Sequence, residues 1–87
     1  MSIYQLNIDF NTQETKELFQ VKASEIGELK FVFRDTWFLK TNVPISGVAD
    51  HLSTVLTKKD YFAILPVDSR FGMGLNTPEN LMSWLTA

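Results

Sequence analysis

Apolar and polar residues alternate strictly from Tyr4 to Phe10, where Tyr4, Leu6, Ile8 and Phe10 interleave with Gln5, Asn7 and Asp9. That period of two predicts a strand with one buried and one wetted face. The period then lengthens: Leu18, Phe19, Ala23 and Ile26 form a stripe at helical spacing, which predicts a helix over about residues 12–26. Asn11 offers it an N-cap with Glu14 three residues on to complete a capping box, and Thr12 offers a competing cap. Gly27 is placed to end this helix in a left-handed conformation.

The period of two returns in Leu29–Arg34, with Leu29, Phe31 and Phe33 on one side, and again in Thr36–Thr41, where Trp37, Leu39 and Thr41 oppose Phe38 and Lys40. Only Arg34-Asp35 separates the two, so they are expected to form an antiparallel hairpin. Its turn lacks Gly or Asn, which leaves room for a bulge. After Asn42-Val43-Pro44, the residues Ile45, Val48, Leu52, Val55 and Leu56 line one side of a second helix. YFAILPV, residues 61–67, is a short apolar run of strand formers.

The resulting order is strand, helix, strand, strand, helix, strand with one hairpin in the middle. It predicts an α+β, ferredoxin-like βαββαβ fold: a four-stranded antiparallel sheet with two helices on one face and a C-terminal extension. The other sheet face must be solvated or covered, and either Trp37 or Phe38 points towards it. In residues 68–87, SRFGMG reads as a loop and Thr77-Pro78-Glu79 as a helix start. Leu81, Met82, Trp84 and Leu85 are too apolar for a free end, and are expected to pack on this domain or on a second protomer.

Composition sharpens this picture in a few places. Eighty-seven residues make one domain with a small core, which dimerisation would support. Eight Lys and Arg against ten Asp and Glu give a net charge of -2, which argues against a sequence-independent grip on phosphates. A local patch of Lys30, Arg34, Lys40, Lys58 and Lys59 is the exception to look for, against the commoner outcome of scattered, solvated lysines. No cysteine and a single histidine speak against zinc, and the lack of disulfide-forming residues leans towards a reducing cytoplasm. No signal-peptide pattern or membrane-length apolar run is visible, so the expectation is a cytoplasmic chain without membrane association.

Few residues mark chemistry. Gly72-Met73-Gly74 lacks the continuation of a phosphate loop or a dinucleotide fingerprint. His51, beside Asp50 and opposite the apolar stripe, reads as a surface residue, and none of Ser46, Ser53, Ser69 or Ser83 has a nucleophile's context. Asp9 stands out, near the end of the first strand and on its polar face. Asp35 and Asp68 also lie near strand ends and could approach it, and Mg²⁺ favours such oxygen ligands. The competing account makes all three turn-forming or solvent-facing residues.

Asp9 at the end of an N-terminal strand, followed by helix, strand, TWFLKTNVPISGVADHL and KKDYFAILPV, resembles the small CRISPR-associated nuclease-fold proteins of the adaptation complex. The pattern is closer to their stand-alone, SinR-like relatives. The matching residues are Thr36, Trp37, Lys40, Thr41, Val48, Leu52 and Asp60, within the first 67 residues. The resemblance implies a ferredoxin-like homodimer whose C-terminal segment exchanges between protomers. It also implies, by position, a catalytic and metal-binding role for Asp9 at the dimer interface, with Mg²⁺ supporting phosphodiester hydrolysis. Phe10-Asn11-Thr12 departs from the polar continuation of that family, and several relatives use the fold as an assembly piece. The expectation is therefore a non-enzymatic homodimeric interaction module, set in phage defence or a mobile element, with a protein or nucleic-acid partner. The alternative is a Mg²⁺-dependent endonuclease acting on RNA or DNA with Asp9 as metal ligand; a small-molecule binder has no motif behind it.

Overall fold

The computed structural model describes residues 2–67 and 81–86. Along the chain run β1 (Ser2–Asp9), α1 (Gln13–Ile26), β2 (Gly27–Phe33), β3 (Thr36–Thr41), α2 (Ile45–Ser53), β4 (Tyr61–Pro66) and a short α3 (Leu81–Thr86). The sheet order is β2-β3-β1-β4 and every neighbouring pair is antiparallel. This is the ferredoxin-like α+β arrangement the strand and helix order predicts.

The alternation in β1 and β3 sorts the two faces. Tyr4, Leu6 and Ile8 of β1 and Trp37 and Leu39 of β3 are buried with Phe19 and Ala23 of α1 and Val48 and Leu52 of α2. A row of rings crosses this core: Phe19 stands 5.3 Å from Phe10 and 5.4 Å from Trp37, which in turn stands 4.9 Å from Phe31. The Trp37 indole Nε1 is buried and has no hydrogen-bond acceptor among the described residues. Thr41, also buried, is fully used, since its hydroxyl donates to the Ile26 carbonyl at 2.6 Å and accepts from the Val43 N–H at 3.0 Å. It ties the end of α1 to the end of β3.

Several local expectations change. Thr12, not Asn11, caps α1, its hydroxyl accepting from the Thr15 N–H at 3.1 Å. Asn11 is committed elsewhere, because its own N–H donates to the Asp60 carboxylate at 2.7 Å. Gly27 is not left-handed: at φ 177° it is extended and already pairs with Thr41 as the first residue of β2. α2 stops at Ser53, so Val55 and Leu56 lie beyond the helix. A bulge, which the turn chemistry leaves open, lies between Phe31 and Phe33, and Arg34 carries the hairpin at φ 51°, a conformation that usually falls to glycine.

On the sheet face away from α1 and α2, α3 covers part of the surface. Leu81 and Leu85 are buried against Val32, with Ile3, Phe38 and Trp84 packed around them. Of Trp37 and Phe38, it is thus Phe38 that points to this face. Glu28 and Lys40, a cross-strand pair, both hold Trp84: the indole N–H donates to the Glu28 carboxylate at 2.6 Å, the Lys40 ammonium lies 4.4 Å from the ring centre, and it also donates to the Trp84 carbonyl. The loop and helix start read from SRFGMG and from Thr77-Pro78-Glu79, and Asp68, lie outside the described residues. No helix among the described residues is long and apolar enough to cross a membrane.

Candidate functional site

Two features lie beyond α3 on the same sheet face: a cleft at the end of β1 and the outer edge of β4. Asp9 ends β1 opposite Tyr61, and the Asp35 carbonyl accepts from the Ile8 N–H at 2.9 Å, so the β2–β3 turn is held beside Asp9. Both aspartates line a cleft of about 360 Å³ walled also by Asn7, Tyr61 and Ala63. They line a second one of about 240 Å³ together with Asn11, Thr12, Lys16 and Arg34. Asp35 thus lines the same clefts as Asp9, while both side chains stay exposed as the competing account has them.

What the pair can do is limited. Both carboxylates are exposed, Lys16 and Arg34 bring positive charge to the second cleft, and no group of three or more His, Cys, Asp or Glu gathers among the described residues. Mg²⁺ needs near-octahedral oxygen ligation. Asp9 and Asp35 supply two carboxylates to these clefts, with the cations Lys16 and Arg34 beside them in the second. Two members of the looked-for basic patch stand apart: Lys40, opposite Ile3, is taken up by Trp84, while Arg34 sits roughly 20 Å away at the other end of the sheet by strand rise.

His51 proves to be structural. It is half-buried and its Nε2 lies 3.0 Å from the Lys22 carbonyl and 3.1 Å from the Glu25 carboxylate, which fastens α2 to the last turns of α1. The reading as a free surface residue missed this because the partners come from the other helix.

Asp60 has a comparable role. Its carboxylate accepts from the Asn11 N–H at 2.7 Å, the Thr57 N–H at 2.7 Å and the Thr57 hydroxyl at 2.9 Å, joining the loop before β4 to the loop after β1. These donors, the Asn11 N–H foremost and then the Thr57 N–H, hold its carboxyl below the ordinary carboxylate value against a small opposing effect of burial. A carboxylate favoured in the folded state contributes stability above its ordinary pKa, and that contribution disappears as pH falls through the depressed value. Asp60→Asn is expected to cost about 1 kcal/mol at neutral pH, allowing for solvent screening of a half-exposed group. Urea titrations of both proteins should converge below about pH 4; a gap that persists unchanged at low pH would mean the charge is not what matters.

The β4 strand was legible as a strand but not as an edge. YFAILPV is apolar enough to read as buried, yet Tyr61 is 73% and Leu65 54% exposed. With Ala63 they share the face of Gln5, Asn7 and Asp9, opposite which Leu65, Ala63 and Tyr61 are registered in turn. Gln5 donates to Asn7 at 2.7 Å and Asn7 to the Thr36 hydroxyl at 3.0 Å, so the polar floor beside this apolar stripe is internally satisfied. No family model, curated protein or solved structure matches this chain, so the family resemblance rests on the residues quoted for it.

Proposed function

We propose that this protein is a non-enzymatic, homodimeric interaction module of ferredoxin-like fold that works by joining chains. The observation that carries this reading is the outer edge of β4, a six-residue apolar strand with Tyr61 and Leu65 on the sheet face that α3 leaves open. Exposed, flat and apolar edges of this kind draw another strand unless something blunts them. The net charge of -2 favours a protein rather than a nucleic acid as further partner. A setting in phage defence or a mobile element is what the family resemblance adds.

Light scattering at micromolar concentration tests it. The expected mass is twice the 10.0 kDa of the chain, moving towards the single-chain value on dilution. A strict monomer throughout that range overturns the reading.

A further inference from the structure

We infer that the dimer forms by antiparallel pairing of β4 with β4 of a second copy, in a register centred on Ala63, to give one continuous eight-stranded sheet. This rests on the dimeric reading above and specifies its interface.

Three observations carry it. The first is the direction of the backbone groups. Val67 N–H donates to the Ile3 carbonyl at 2.9 Å, in the same register that pairs Tyr4 with Pro66. By alternation, Tyr61, Ala63 and Leu65 direct their N–H and C=O groups to β1, and Phe62 and Ile64 direct theirs outward. Pro66, next in the outward series, has no N–H to offer and closes the ladder.

The second is self-complementarity. A two-fold axis through Ala63 places Phe62 opposite the second copy's Ile64, and the converse, so four outward backbone bonds are made at once. On the open face it sets Tyr61 against Leu65 twice, with the small Ala63 meeting itself on the axis. Aromatic and aliphatic residues directly opposite each other are favourable cross-strand pairs. Shifting the register by one residue would set inward-facing against outward-facing side chains.

The third is the contrast between the two edges of the sheet. β2, the other edge, is bulged between Phe31 and Phe33 and carries Glu28 and Lys30, the devices by which edges are blunted. β4 has no charged side chain from Tyr61 to Pro66. Of the two edges, β4 is the one built to receive a strand.

The arrangement also bears on Asp9. With β1 on the outside of each β4, the two Asp9 residues would stand about 20 Å apart by strand spacing and rise. An edge dimer therefore does not bring them together around one metal ion.

The chain contains no cysteine, so one introduced thiol reports the register directly. Ala63 is exposed and would face its copy as a non-hydrogen-bonded pair with Cα atoms about 4.5 Å apart, within reach of a disulfide. Ala63→Cys in a glutathione redox buffer is expected to form a reducible covalent dimer, and Phe33→Cys on the β2 edge is not. Leu65→Lys, which strikes both symmetric Tyr61 pairs, is expected to weaken the wild-type dimer roughly tenfold. A wild-type dimer in which Ala63→Cys stays uncrosslinked, or in which Leu65→Lys dissociates no more readily, overturns the β4 interface while leaving dimerisation intact. A wild-type monomer overturns both.

Discussion

Gly27→Ala is expected to lower stability by about 3 kcal/mol, a large part of the roughly 4–13 kcal/mol that a domain of this size has in total. The cost comes from space, because a φ of 177° is open to any residue. A Cβ at this position would stand 2.3 Å from the Lys40 carbonyl oxygen and 2.9 Å from the Thr41 Cβ. Neither can retreat. Lys40 and Thr41 belong to β3, which is paired on its far side with Ile3 and Ser2 of β1, and Thr41 is fastened by its hydroxyl to Ile26. β2 must therefore move away from β3 at its first residue, opening the Gly27–Thr41 pair and straining the hydrogen bond from the Thr41 hydroxyl to the Ile26 carbonyl. A shift of the urea midpoint with unchanged slope is the expected signature; a midpoint equal to wild type would mean that β2 does not meet β3 this closely.

Gly27 also shows where reading the sequence succeeds and where it stops. β1, β3 and α2 were legible because their periodicity is local: TWFLKT alternates, and Val48 and Leu52 fall four apart whatever else the chain does. A glycine after a helical stripe has an equally local explanation, the left-handed stop, and nothing nearby speaks against it. The real constraint is a carbonyl thirteen residues further on. The same holds for the cap of α1, where Asn11 and Thr12 are locally equivalent until Asp60, from the loop before β4, takes the Asn11 N–H.

The candidate site divides along the same line. That Asp35 could lie near Asp9 was open to the sequence as one possibility beside a turn-forming or solvent-facing role, and the shared clefts with both side chains exposed fit either account. The exposure of Tyr61 and Leu65 was not legible, because an apolar run does not say whether its strand is central or outermost. Nor was the hold of Glu28 and Lys40 on Trp84: Glu28 precedes the strand read from the sequence, the bulge is what sets it opposite Lys40, and no local pattern says that an indole from the end of the chain will lie on them.

These placements give the sheet two unlike faces. One is closed by α1 and α2 over a core of β1 and β3 side chains. The other is divided between a short helix anchored at the β2–β3 side and an apolar stripe left open at β4. A small domain gains stability from any further burial. Among the described residues no strand pairs with the outer edge of β4, so burial of the stripe along that edge would come with backbone hydrogen bonds, which a solvated helix face would not supply.

Phe19→Ala should be among the most damaging substitutions, at about 3–5 kcal/mol. Phe19 is completely buried and is one of the two inner rings of the row from Phe10 to Phe31, lying near Phe10 after β1 and Trp37 in β3. Its removal leaves a cavity under α1 and takes away two ring contacts, each worth roughly 0.5–1.5 kcal/mol. Phe19→Leu keeps much of the volume and is expected to cost about 1–2 kcal/mol. Val21→Ala, on the same helix but 62% exposed, should stay within about 0.5 kcal/mol. Because association stabilises the folded chain by mass action, urea titrations at two protein concentrations separate core loss from lost dimer: a monomer-level defect is the same at both. If Phe19→Ala proves no worse than Val21→Ala, α1 does not close the sheet in this way, and the division into a sealed face and an open edge loses its basis.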